Sequence, residues 1–143
     1  MIVKWHGSDK FNTHLNFQKY SNIALSENNF IDDLYESDIL ITDYSSVFID
    51  YLLLEKPIIF YSPDLNKYNT KKGFNYEYKD IIPGVLVDSW DAVIHEVKLI
   101  ENNQDKWIHK RKKIKEFFHE FDDGYNSKRI YEFIKSKIGK NYS

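Results

Sequence analysis

The sequence predicts an α/β fold, a Rossmann-like parallel sheet flanked by helices, and three observations predict it. Short apolar runs rich in Ile, Val and Leu alternate with longer runs of helical period, the pattern of βαβ units. The run Ile39-Leu40-Ile41 is apolar without alternation, as in a strand buried on both faces. Polar clusters lie at the C-terminal ends of predicted strands, at His6 and at Asp43 to Ser46, the end at which parallel sheets bind their ligands.

Taken in order, Ile2 to His6 reads as the first strand, and Gly7 to Asn22 as a polar, irregular stretch with room for one short helix. Ile23 to Ser26 is a second short strand. Asn28 or Asn29 caps a helix to about Glu36, with Phe30, Ile31, Leu34 and Tyr35 as its apolar face. Asp38 to Tyr44 is the third strand and Ser45 to Glu55 a helix. Lys56-Pro57 ends that helix, because a residue before proline is pushed out of the helical region. Ile58 to Tyr61 is the fourth strand, and Ser62 to Gly84 a long loop of the kind that is usually functional or mobile. Val85 to Val87 is the fifth strand. Ser89 caps a helix to about Glu101, with Ala92, Val93, Val97 and Ile100 on one stripe, and Asn102-Asn103 breaks it. A helix from about Gln104 to Phe121 carries Trp107, Ile108, Ile114, Phe117, Phe118 and Phe121. Asp122 to Asn126 is a turn, and Asn126 or Ser127 caps a last helix to about Ile138, so that C-terminal helices fill about 104–138. The whole of 1–143 is expected to be a single Rossmann-like domain, or one lobe of a larger protein, and its opening directly on a strand suggests residues upstream.

Composition narrows the function. With 20 basic and 22 acidic residues the net charge is −2, so no gross field points to nucleic acid. The absence of cysteine excludes disulfides, thiolate metal sites and a thiol nucleophile. No apolar run approaches the ~20 residues that span a bilayer, and Met1 to His6 lacks the architecture of a signal peptide.

Three clusters carry chemistry. Ser45-Ser46, between a strand and a helix, offers two hydroxyls and free backbone N–H groups where a helix dipole favours a diphosphate. The plainer alternative is an ordinary helix cap. No glycine stands in this turn, so it is neither a dinucleotide fingerprint nor a Walker loop. Asp50 interrupts the apolar run Val47 to Leu54 one turn after Ser46. It is placed either to accept bonds from ligand hydroxyls or simply to lie on the helix surface. Lys4 and His6 share one face of the first strand beside Trp5, a pairing suited to neutralising or protonating a phosphate, or to an exposed strand edge. The loop after Tyr61 reads as a lid or a plain surface loop. The basic run His109 to Lys113 suits anionic lipid headgroups or a solvated helix face. His14, His95 and His119 have no metal-ligand spacing, and no metal or other cofactor is called for.

The string Leu40-Ile-Thr-Asp-Tyr-Ser-Ser-Val47, followed by Asp50, Lys56-Pro-Ile-Ile-Phe-Tyr61 and Asp64, resembles the C-terminal lobe of the CDP-glycerol glycerophosphotransferases, the teichoic acid polymerases and primases. Tyr68, Gly73-Phe74, Pro83-Gly84, Asp123-Gly124 and Ser127-Lys-Arg129 extend the resemblance over almost the whole chain. Lys4, Trp5 and His6 align with a segment that holds a functional histidine in this family, although Gly7 stands where proline is usual.

The resemblance implies a GT-B-like architecture of two Rossmann-like lobes, with Lys4, Trp5, His6, Ser45, Ser46 and Asp50 binding CDP-glycerol and His6 catalytic. The implied reaction moves glycerol phosphate from CDP-glycerol to a teichoic acid or related polyol-phosphate chain on a lipid-linked acceptor, releasing CMP. The implied setting is cytoplasmic, with peripheral contact at the inner face of the cell membrane. A missing N-terminal lobe is then a partner, and the chain is expected to be inactive alone. Two alternatives stay open: a transferase lobe for another nucleotide-activated polyol or sugar, such as CDP-ribitol or a UDP-sugar, and a non-catalytic truncated remnant.

Overall fold

The computed structural model describes residues 1–4, 19–65, 67 and 77–138. The chain divides into two compact units, Met1–Asp38 and Ile39–Ser143.

In the first unit, β1 (Ile2–Val3) pairs parallel with β2 (Ala24–Leu25), Ile2 opposite Ala24. Helix α1 (Phe30–Glu36) follows, capped by Asn29, whose side chain accepts the Asp32 N–H at 2.9 Å. The expected apolar face is buried only at Leu34; Phe30, Ile31 and Tyr35 are exposed. Polar contacts tie the unit together. The Ser26 hydroxyl donates to the Asp33 carboxylate at 2.6 Å, and the Lys4 ammonium lies 3.1 Å from the same group. The Ser26 bond and the Lys4 charge hold the Asp33 carboxyl below its ordinary range.

The second unit is built on a three-stranded parallel sheet, β3 (Leu40–Thr42), β4 (Ile58–Tyr61) and β5 (Val85–Val87), in that spatial order. Leu40 pairs with Ile58 and Tyr61 with Val87. The five expected strands thus form two parallel ladders among the described residues. Helix α2 (Val47–Tyr51) tightens into a 3₁₀ turn at Leu52–Leu54. Glu55 closes the turn in the left-handed region at φ 54°, and the chain then enters β4.

The core of this unit is the central strand and what covers it. Ile59 and Phe60 are fully buried, as are Tyr51 and Leu52. Phe48 packs edge-on to Phe60 with ring centroids 5.4 Å apart, and Phe118 covers Phe48 at 6.0 Å. Helix α3 (Tyr78–Ile81) lies inside what reads as a continuous loop in the sequence. Its four residues are too few to be stable alone; burial of Tyr78 and Ile82 anchors them. Pro83-Gly84 then leads into β5. A methyl group on Gly84 would overlap the carbonyl oxygen of Ile58, so only glycine lets β5 approach β4 this closely. Gly84→Ala is expected to lower the melting temperature by several degrees, since forced overlap costs about 1–3 kcal/mol; a thermal melt matching the parent would refute this.

Helix α4 (Trp90–Glu101) starts from Ser89, whose hydroxyl accepts the Ala92 N–H at 3.4 Å, and buries Val93. Helix α5 spans Ile108–Phe118, shorter than the expected helix by several residues at each end. The basic run on it is not a plain solvated face. Arg111 is 2% exposed, and its guanidinium forks onto both carboxylate oxygens of Asp105 while Nε donates to the Glu55 carbonyl at 3.3 Å. Lys115 reaches Glu55 Oε1 at 3.0 Å and Asp122 at 3.1 Å, and its hydrogen bond, then its charge, hold the Glu55 carboxyl below the ordinary range. Helix α6 (Asn126–Ile138) buries none of its residues. Arg129, stacked on Phe121 at 3.8 Å, pairs with Asp123 and pulls that carboxyl to about 2.

Candidate functional site

Parallel register brings the C-terminal ends of β3, β4 and β5 to one edge, where Asp43–Ser46, Tyr61–Ser62 and Asp88–Trp90 follow the strands. Ser62 N–H donates to the Val87 carbonyl at 2.8 Å, extending the ladder by one bond. Tyr61 and Trp90 stack there with centroids 5.0 Å apart.

The turn after β3 is held by its own side chains. Asp43 Oδ1 accepts the Ser45 N–H at 3.2 Å, and Ser45 Oγ accepts the Val47 N–H at 3.4 Å. Ser46 occupies the cap position of α2 with helical angles, φ −67° and ψ −4°, and its hydroxyl makes no capping bond. Its carbonyl instead accepts the Ile49 N–H at 2.9 Å. A capping serine has extended angles and turns its oxygen back onto the first turn; Ser46 does neither, and it is exposed. Asp50, one turn further on, is exposed as well, with exposed Leu53 on the same side of the helix. The structure thus brings Ser45, Ser46 and Asp50 together along one short segment.

Behind the turn stand two tyrosines that sequence reasoning did not assign. The Tyr44 phenol donates to Asp64 Oδ1 at 2.8 Å; burial, and then the Asp64 acceptor, push its ionisation well above the ordinary value. The Tyr78 phenol donates to the Asp43 carbonyl at 2.8 Å. Its ring lies 5.8 Å from Tyr44 and edge-on to Phe60 at 6.1 Å. The available signal was the helical spacing of Tyr78, Ile81 and Ile82 within a polar stretch.

Of the other expected site residues, Lys4 sits in the first unit, paired with Asp33 and donating to Ser26 Oγ at 3.3 Å. Trp5 and His6 lie outside the described residues, as do Tyr68, Gly73 and Phe74 of the expected lid. Among the described residues no group of three His, Asp or Glu is placed to hold a metal ion. No described helix is long and apolar enough to cross a membrane.

An open parallel sheet with polar turns gathered at its C-terminal edge is the class of α/β lobe that takes ligands at that edge. The family of CDP-glycerol:poly(glycerophosphate) glycerophosphotransferases matches residues 1–136. The teichoic acid poly(glycerol phosphate) polymerase of Bacillus spizizenii is 37% identical over 138 residues, 92% of this chain and 34% of that protein. The teichoic acid poly(ribitol-phosphate) polymerase of the same organism is 39% identical over 104 residues, 71% of this chain and 16% of that protein. A histidine variant of the wall teichoic acid polymerase TagF, soaked with CDPG, superposes with a TM-score of 0.76 at 28% identity, over 99% of this chain and 35% of that one. The chain belongs to this glycerophosphotransferase family. It spans about a third or less of the length of these relatives.

Proposed function

We propose that this chain is the CDP-glycerol-binding part of a glycerophosphotransferase that transfers glycerol phosphate from CDP-glycerol to a teichoic acid or related polyol-phosphate chain and releases CMP. The observation that carries the reading is the Asp43–Ser46 turn after β3. The polar turn stands at the C-terminal edge of the parallel sheet, inside the stretch matched by the family, with a Ser46 hydroxyl that does not cap its helix.

In this reading Ser45 and Ser46 bind the diphosphate through hydroxyl and amide groups, and Asp50 accepts a hydrogen bond from a ribose or glycerol hydroxyl. The acceptor hydroxyl attacks the phosphorus next to glycerol. A new P–O bond forms there, the bond to the oxygen that leaves with CMP breaks, and the hydroxyl proton passes to solvent. His6 neutralises or protonates the departing phosphate, and Lys4 adds positive charge. Catalysis rests on positioning and charge stabilisation rather than covalent chemistry. The rest of the reaction centre, including the acceptor site, belongs to a second, N-terminal lobe. The working place is cytoplasmic, peripheral at the inner membrane face, where a lipid-linked acceptor lies.

Titration of the chain with CDP-glycerol, CDP-ribitol and a UDP-sugar by calorimetry tests the ligand. CDP-glycerol is expected to bind best, and equal or tighter binding of the UDP-sugar would sink the reading. The ribitol alternative has a specific observation in its favour, the 39% identity to a ribitol-phosphate polymerase; tighter binding of CDP-ribitol would select it. With CDP-glycerol and a lipid-linked acceptor the chain alone is expected to release no CMP, and clear release would show that no second lobe is needed.

A further inference from the structure

We infer that Tyr78 is a positioning residue for the Asp43–Ser46 turn, its phenol anchoring the Asp43 carbonyl from behind so that the serine edge holds one shape for a nucleotide diphosphate. The inference rests on the ligand reading above, and the anchoring itself can be tested without a ligand.

The tether is long in sequence and short in space. Tyr78 stands 35 residues after Asp43, and its hydroxyl reaches that carbonyl at 2.8 Å. Only 4% of Tyr78 is exposed, and its ring packs edge-on against Phe60, a fully buried residue of the central strand. The bond therefore links a side chain packed on the buried central strand to the first residue of the turn. Asp43 is then fixed twice. Its carbonyl is taken by Tyr78, and its carboxylate takes the Ser45 N–H at 3.2 Å. Because a trans peptide is planar, a carbonyl directed at Tyr78 sends the Tyr44 N–H the opposite way. One phenol thereby sets the peptide plane from which Ser45 and Ser46 follow. The neighbouring Tyr44 is held in the same manner, its phenol bonded to Asp64 at 2.8 Å. Two consecutive turn residues are thus tied to chain that follows β4, rather than to their own strand or helix. Phosphate recognition by backbone and hydroxyl groups depends on such fixed placement, since a turn that must be ordered by its ligand binds it more weakly.

Tyr78→Phe removes the hydroxyl and keeps the ring packing. Amide hydrogen exchange in this variant is expected to speed up at Ser45 and Val47 while Ile59, Phe60 and Leu86 keep the parent's protection. Exchange at Ser45 and Val47 equal to the parent's would overturn the inference. Calorimetric titration with CDP-glycerol then reads the consequence. Loss of one hydrogen bond's worth of order corresponds to roughly a 2–10-fold rise in Kd, with the melting temperature near the parent's. A purely structural Tyr78 would move the melting temperature and leave Kd alone, which also overturns the inference. Should the parent chain fail to bind CDP-glycerol at all, the ligand reading fails, and the exchange result still decides whether Tyr78 sets the turn.

Discussion

Asp105→Ala is expected to destabilise the three-stranded unit by about 3 kcal/mol, because it strips the counter-charge from a buried arginine. Arg111 is 2% exposed, and Asp105 supplies both oxygens of its fork. After the substitution the Glu55 carbonyl, at 3.3 Å from Nε, remains as the hydrogen-bond partner of Arg111 among the described residues. Removing one member of a buried pair costs more than the pair ever contributed, since an uncompensated charge stays behind. Replacing both members, Asp105→Ala with Arg111→Met, is therefore expected to recover most of the loss. Urea denaturation of the two variants and the parent measures this. A double variant no more stable than Asp105→Ala would show that the fork, not desolvation, sets the energy. Burial raises the Asp105 carboxyl, but Arg111 and the Trp107 N–H more than offset it, so the folded value lies below the ordinary 3.8. The sign follows: this contribution is complete above about pH 4 and is lost as pH falls through the depressed folded value. Asp105→Asn should accordingly flatten the acid limb of the stability profile.

That pair also marks where sequence reading stops. Strands β3 to β5 were legible because each is a short apolar run bounded by polar or breaking residues, and β4 matched from Ile58 to Tyr61. Asn29 and Ser89 were legible as caps because capping is local chemistry. Which of five basic residues from His109 to Lys113 turns inward was not legible. Helix phase against the Glu55 carbonyl decides it, a contact across 56 residues. Helix α3 was missed for the same reason, since tertiary burial of Tyr78 stabilises four residues that local propensity would not. The apolar faces of α1 and α6 carry the right period, yet Ile31, Tyr35, Ile130 and Phe133 are exposed. Periodicity reports which face is apolar and is silent on what covers it. At the candidate site the segment Ser45 to Asp50 was legible as a strand–turn–helix junction. Whether its serines cap the helix required the backbone angles of Ser46.

Those angles carry the second large effect. Ser45→Ala with Ser46→Ala is expected to raise the Kd for CDP-glycerol by about 10–100-fold, since a hydrogen bond to a charged group is worth about 1.5–3 kcal/mol. If the serines were structural caps, the cost would appear instead in stability, about 1 kcal/mol for a lost cap. The geometry separates the two outcomes. Ser46 makes no capping bond, and Ser45 accepts the Val47 N–H at a long 3.4 Å. Neither hydroxyl therefore holds the helix strongly, and the melting temperature of the double variant should stay within a degree or two of the parent's. Single variants refine the assignment. Ser46→Ala should account for most of the affinity loss, because its hydroxyl is exposed and not engaged in capping, whereas Ser45 is half-buried beside the backbone it faces. Asp50→Asn offers the control. A carboxylate close to a diphosphate repels it, so its neutralisation should weaken binding only where a ribose or glycerol hydroxyl depends on it. CDP affinity is then expected to change less than CDP-glycerol affinity if the partner is the glycerol hydroxyl, and equally if it is the ribose. A double serine variant that binds CDP-glycerol like the parent and melts several degrees lower would return Ser45 and Ser46 to the role of helix cap.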